Sequence, residues 1–250
     1  MKGIILAGGS GTRLGALTVA CSKQLLPVYD KPVIYYPLRT LLLGGIRDIL
    51  IISTPRDTPR IRDLLGDGSA WGEGVRLSYA VQPEPGGIAQ ALIIGEQFMD
   101  RQPVCLILGD NLFFGKDMGP ILKTAIRMMA NNYGAHVFVQ LVPDPSRYGV
   151  VTFDQRGLAT SIEEKPVEPR SKWAVTGLYL YDHTASIVAA GLTPGPRGEL
   201  EITDVNRFYM QRGRLYVTPL GLNCTWMDVG TPDALLAAST FVHRCGGDYP

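Results

Sequence analysis

Short apolar runs alternate along the chain with stretches whose apolar residues recur at helical spacing. The first run, Lys2-Gly3-Ile4-Ile5-Leu6, has the length and Ile content of a strand buried on both faces. Residues 47–54, 75–81, 104–110 and 136–141 repeat it. Between them, residues 37–44, 57–65, 88–99 and 117–130 read as helices. This alternation predicts an α/β fold whose doubly wound, mainly parallel sheet carries helices on both faces. Residues 24–32, with two prolines, and 82–87 read as loops. Such sheets bind ligands beyond the carboxyl ends of their strands, where the glycines after Ala7, the Gln82 loop and Asp110 all fall.

The pattern changes at Tyr148. Residues 149–154 and 157–163 predict a hairpin, 175–181 a strand, and 200–211 and 232–242 helices. No Ser/Gly linker or internal repeat sets this part aside, so residues 1–250 are expected to form one domain. Its core covers about 1–145, a smaller mixed lobe about 146–244, and a frayed tail 245–250.

With 250 residues, 46% of them hydrophobic and 19% charged, the chain can bury a large core. Its 24 basic and 23 acidic side chains leave a formal net charge of +1. No global field therefore draws nucleic acid or an anionic membrane, and an anionic ligand must be met by cations gathered locally. Cys21, Cys105, Cys224 and Cys245 form no CxxC pair, which suits reduced thiols. The five-residue apolar run at the N-terminus is too short for a signal peptide, and no run reaches membrane-spanning length; the expectation is a cytoplasmic protein. The three histidines match no HExxH or triad pattern, and zinc-type clusters are absent.

Leu6-Ala7-Gly8-Gly9-Ser10-Gly11-Thr12-Arg13-Leu14, with Lys23 nine residues later, reads as a phosphate cradle. Glycines let main-chain N–H groups approach a polyanion, and the two cations suit phosphate oxygens. A dinucleotide fingerprint would need glycine at Leu14, and a P-loop would need Gly-Lys-Ser/Thr; neither is present. An ordinary strand-to-helix turn is the competing reading. Asp110, at a strand end, and Asp228 are two acids that a Mg2+ ion bound with phosphates would use, although each taken alone reads as a capping or surface acid. Glu163-Glu164-Lys165-Pro166 is either a solvated charge run or a second phosphate contact with a glutamate on sugar hydroxyls. The acids of Arg197-Gly198-Glu199-Leu200-Glu201-Ile202-Thr203-Asp204 are equally ordinary at a helix start.

Seven motifs in order resemble one family. They are Gly8 to Leu14 with Lys23, Ser22 to Pro32, Leu108-Gly109-Asp110-Asn111, Arg147-Tyr148-Gly149-Val150-Val151, Glu163-Glu164-Lys165-Pro166, Gly198 to Asp204 and Trp226-Met227-Asp228. Together, over residues 1 to about 243, they resemble the sugar-1-phosphate nucleotidyltransferases, within them the branch that moves a thymidylyl group onto glucose 1-phosphate. The resemblance implies a Rossmann-like core, the substrates dTTP and glucose 1-phosphate, Mg2+, and a homo-oligomer, tetramer or dimer. It implies that Arg13 holds the triphosphate, Lys23 neutralises the reacting phosphates and Lys165 binds the sugar phosphate. Leu6, Gly8, Gly9, Gly11, Thr12 and Asp110 would meet the nucleotide, with Gln82 and Gly87 reading the base. Tyr148, Gly149, Glu163, Val175 and Arg197 would line the sugar side, and Asp110 and Asp228 would hold the metal.

Rival readings are the same chemistry with UTP or another sugar phosphate, and a non-catalytic nucleotide-sugar sensor. Gly15-Ala16-Leu17 replaces the family's aromatic-proline continuation, and Val229 stands where Thr is usual. Longer members carry a further C-terminal segment and an arginine near the tryptophan, which serve a regulatory site. The chain has Leu222 at that place, so weak or absent feedback inhibition is expected.

Overall fold

A computed structural model describes residues 1–9, 11–131, 133–195 and 198–246. The chain opens with β1 (Lys2–Ala7), then a small hairpin of β2 (Pro27–Val28) and β3 (Lys31–Pro32) inside the stretch expected as loop. Next come α1 (Tyr35–Leu43), β4 (Asp48–Ser53), α2 (Thr58–Leu65) and β5 (Arg76–Val81). The helix expected over 88–99 is two, α3 (Gln90–Ile94) and α4 (Glu96–Met99), broken at Gly95, a residue with little helix propensity. β6 (Val104–Leu108) leads directly into β7 (Asn111–Phe114), and α5 (Met118–Asn131) into β8 (Ala135–Leu141). The hairpin of β9 (Gly149–Phe153) and β10 (Ala159–Glu164) precedes β11 (Trp173–Tyr181), α6 (Ala185–Ala190) and α7 (Ile202–Gln211). β12 (Leu215–Pro219), β13 (Thr225–Asp228) and α8 (Pro232–Arg244) follow. Of the expected tail, residues 247–250 lie outside the described residues.

The fold is α/β with a mainly parallel sheet, and the chain packs as two compact units. The first comprises Gly3–Pro85, Ile107–Leu122 and Leu222–Pro250. In it β1 pairs parallel with β4 and β4 with β5, in register Ile5↔Ile51 and Ile51↔Tyr79. Ile4, Ile5, Ile49, Ile51 and Ile52 are wholly buried, each side chain contributing about 1.5–3 kcal/mol through burial. A second ladder, β7 with β13, runs antiparallel and sets Asp228 opposite Asn111. Beneath it lies a separate apolar cluster that includes Val28, Tyr36, Leu112, Phe114, Val229 and Val242. α8 begins on Pro232, and the Thr231 side chain accepts from the Ala234 N–H at 3.3 Å, which sharpens the turn out of β13.

The second unit comprises Met1–Lys2, Gly86–Leu106 and Lys123–Gly221. β8 lies between β11, antiparallel, and β12, parallel, while β9 pairs with β10 and touches β11 at Ala174↔Val150. Buried hydroxyls pin α7 to the end of β11: Tyr181 donates to Asn206 at 2.6 Å, and Tyr209 to Asp182 at 2.8 Å.

His136 on β8 is buried, with Nε2 2.6 Å from the Thr218 hydroxyl and no partner for Nδ1 among the described residues. Burial pushes its pKa down from 6.5 to about 4. The unfolded chain therefore takes up a proton that the folded chain refuses, and stability is lost as pH falls from about 6.5 toward 4. The loss between pH 7 and pH 5 is about 2 kcal/mol. Urea unfolding at both pH values, in wild type and His136→Gln, checks this: the variant should lose that part of the pH dependence, and equal dependence in both would refute it.

Candidate active site

β1 ends on Leu6 and Ala7, whose carbonyls are taken by neighbours: Leu6 O accepts from the Gly109 N–H at 2.8 Å and Ala7 O from the Ser53 hydroxyl at 2.9 Å. The chain then enters the glycine loop. At Gly8 the place of a Cβ is filled by the side-chain amide of Gln82, itself buried just after β5, so a larger residue there would push that amide aside. Gly8 O accepts from Gln24 Nε2 at 3.3 Å. Gly11 lies in the left-handed region at φ 62, and the Thr18 hydroxyl is 3.0 Å from its carbonyl and 3.1 Å from that of Gly15. One buried hydroxyl thus closes the Gly15-Ala16 continuation back onto the loop. Thr12 begins the 3-10 stretch Thr12–Thr18, and Ser10 lies outside the described residues.

The acids come together through β7 and β13. Asp110 follows Gly109 at the end of β6 and is buried, its carboxylate paired with the Lys23 ammonium. Its other oxygen accepts from Asn111 Nδ2 at 3.0 Å, and Asn111 Oδ1 in turn accepts from the Trp226 indole N–H at 2.5 Å. Because Asp228 pairs with Asn111 in the ladder, and the Val229 N–H donates to the Asp110 carbonyl at 3.1 Å, two acids remote in sequence stand at neighbouring positions. Arg13 joins them: a Cβ on Gly230 would lie 2.8 Å from its Nη2 and 3.1 Å from Asp228 Oδ1. Burial alone would raise the Asp110 pKa. The Lys23 charge, with hydrogen bonds from Lys23 and Asn111, outweighs it and holds the carboxyl below its usual range. Two carboxylates are hard oxygen donors, the kind Mg2+ takes when substrate phosphates and water complete its shell, so the residues present fit such an ion. Among the described residues no group of three or more His, Cys, Asp and Glu side chains is placed to hold a metal without substrate.

The second unit carries its own cluster. Gly149 opens β9 opposite Glu164 of β10, and a Cβ there would meet Thr203 Oγ1 at 3.4 Å, Glu164 Oε2 at 3.5 Å and Val175 Cβ at 3.8 Å. Glu164 Oε2 accepts from the Thr203 hydroxyl at 2.5 Å, and its Oε1 is 3.3 Å from Lys165 Nζ. Glu163, one residue earlier, points its carboxylate to Arg170 at 3.0 Å. The acid facing Gly149 and Val175 is therefore Glu164, because successive strand residues face opposite ways. Lys165 sits at φ 41, a conformation that costs a side-chain-bearing residue about 1–3 kcal/mol, and its N–H donates to the Tyr148 carbonyl at 3.0 Å. Gly87 is in this unit too, at φ 94 and hard against the Leu200 backbone. Arg197 lies outside the described residues.

The family described as Nucleotidyl transferase matches residues 2–244. The chain belongs to that family. A Neisseria gonorrhoeae glucose-1-phosphate thymidylyltransferase is 57% identical over 242 residues, covering 97% of this nucleotidyltransferase and 82% of the relative. The enzyme of that name from Xanthomonas campestris pv. campestris (strain B100) is 56% identical over 241 residues, 96% of this chain and 80% of its own. A Bacillus anthracis crystal structure, described by the same enzyme name and in complex with a sucrose, superposes with a TM-score of 0.87 at 41% identity. It covers 96% of this chain and 94% of that one.

For three residues of this nucleotidyltransferase the sequence alone assigns no partner. Thr18, Asn111 and Glu164 all sat inside quoted or adjacent motifs, but what each touches depends on a partner: the loop carbonyls, Trp226 and Thr203. The one usable signal was strand parity at Glu163-Glu164, which needs the buried face to be known first. No helix among the described residues is long and apolar enough to cross a membrane.

Proposed function

We propose that this nucleotidyltransferase transfers a thymidylyl group from dTTP to glucose 1-phosphate, giving dTDP-glucose and pyrophosphate. The observation that carries the reading is the first unit's arrangement: a glycine loop, the buried Lys23–Asp110 pair and Asp228 beside Arg13. The identity to relatives bearing that enzyme name supports the choice of substrates. A phosphate oxygen of the sugar forms a bond to the α-phosphorus while the bond to the bridging oxygen breaks, and pyrophosphate leaves with that electron pair. Such a displacement asks the protein for position and charge more than for covalent help.

Arg13 binds the leaving pyrophosphate, Lys23 the reacting phosphates and Lys165 the phosphate of the sugar. Leu6, Gly8, Gly9, Gly11 and Thr12 carry the triphosphate, and Gln82 and Gly87 the base. Tyr148, Gly149 and Val175 line the glucose side together with a glutamate, for which the bond to Thr203 and the place against Gly149 favour Glu164 over the expected Glu163. Asp110 and Asp228 would hold Mg2+, which, when bound, supplies positive charge against the phosphate oxygens. The protein works as a homo-oligomer in the cytoplasm, and the two-lobed chain acts as a single domain.

A pyrophosphate-release panel of dTTP and UTP against several sugar 1-phosphates tests the reading. The highest turnover is expected with dTTP and glucose 1-phosphate; a flat panel would sink it, and preference for UTP would move it to the uridylyl branch.

A further inference from the structure

We infer that Asp57 is a positioning residue of the transfer reaction, acting through Lys23; the inference rests on the role proposed above for that lysine. Asp57 stands immediately before α2, where a short acid normally accepts from an N–H of the helix's own first turn. It makes no such bond. Although 1% exposed, its carboxylate is directed elsewhere, accepting from the Ser22 N–H at 3.3 Å, the Thr54 hydroxyl at 3.0 Å, Arg56 Nε at 3.2 Å and Arg60 Nη1 at 3.3 Å. The two arginines reach the same stretch of chain: Arg56 Nη1 donates to the Val19 carbonyl at 3.1 Å and Arg60 Nη1 to that of Ala20 at 2.6 Å. Three side chains at the start of one helix therefore hold two carbonyls and one N–H within residues 19–22.

That stretch is what needs holding. It belongs to no named helix or strand, Val19 is 75% exposed, and it joins Thr18, whose hydroxyl closes the glycine loop, to Lys23, whose ammonium meets Asp110. A lysine is a point charge on a flexible stem, so where its backbone is rooted decides what its ammonium can reach. The buried Asp57 organises both arginines and takes the N–H next to Lys23 itself. α2 is thus the fixed body to which the phosphate-binding lysine and the end of the loop are tied, although none of its residues is assigned contact with substrate.

The test is a mutant cycle in the full chain, read as pyrophosphate release over a range of dTTP and glucose 1-phosphate concentrations. Asp57→Asn should lower kcat on the order of 10²-fold, the loss expected for a misplaced reacting group, with the KM for glucose 1-phosphate unchanged. In a Lys23→Gln background the same substitution should have no further effect, because the group through which it acts is gone. Arg60→Lys, which can still donate to the Ala20 carbonyl, should recover most of what Arg60→Ala loses. Equal fractional losses in both backgrounds, or a parallel rise in the KM for glucose 1-phosphate, would mean general loosening and overturn the inference. If thermal melts show Asp57→Asn unfolded, Arg60→Ala, a half-exposed side chain, carries the same cycle. A wild type silent with every substrate pair overturns both readings; an active wild type with an unaffected Asp57→Asn overturns this one alone.

Discussion

Asp110→Asn lowers pyrophosphate release from dTTP and glucose 1-phosphate on the order of 10³-fold at saturating substrate, the largest single loss expected in this protein. The side chain keeps its size and its bond to Asn111 but loses its charge. Lys23 then faces an amide in a buried place, and one of the two hard donors beside the glycine loop is gone. Removing one partner of a buried pair also costs stability, about 3 kcal/mol when the burial is complete, and somewhat less here because the Lys23 side chain keeps 15% of its exposure. A melting curve recorded beside the assay separates the two effects. Activity within tenfold of wild type in a folded variant would remove Asp110 from the reacting phosphates.

Glu164→Gln is expected to raise the KM for glucose 1-phosphate about 10²-fold, whereas Glu163→Gln changes it by no more than about threefold. The contrast follows from strand geometry. Glu164 is held by Thr203 and stands against Gly149 and Val175, so the charge-assisted bond proposed for it to a sugar hydroxyl would be lost when it becomes an amide. Glu163 is tied to Arg170, a surface pair with little weight. Steady-state kinetics on the two variants, with dTTP held saturating, decide it; the reverse order of effects would return the sugar contact to Glu163.

The parts legible without a structure were those whose signal is local. Continuous apolar runs such as Lys2 to Leu6 are satisfied by burial on both faces, so β1, β4 and β6 follow from composition. The loop from Gly8 to Arg13 is equally local, since glycine at φ 94 and 62 is needed wherever the backbone itself must turn and bind. Lys23 and Asp110 also stood out, as charges beside those signals. By contrast β7 and β13 are four residues each, too short to show a period, and become strands only through pairing with one another across more than a hundred residues.

That pairing, not any motif, puts Asp228 next to Asn111 and Asp110. Likewise the sequence named Glu163-Glu164 as a pair of acids, but which one turns inward is a matter of register, and register follows from the face that the rest of the unit buries. Asp57 read as an ordinary helix start, and its use as an anchor for residues 19–22 exists only where α2 meets that stretch. The sequence by itself therefore determined the family, the chemistry its residues can offer and the strands that must be buried. The tertiary structure alone decided which acids stand together and what holds the lysine in place, because those contacts join residues whose separation along the chain carries no trace of their nearness in space.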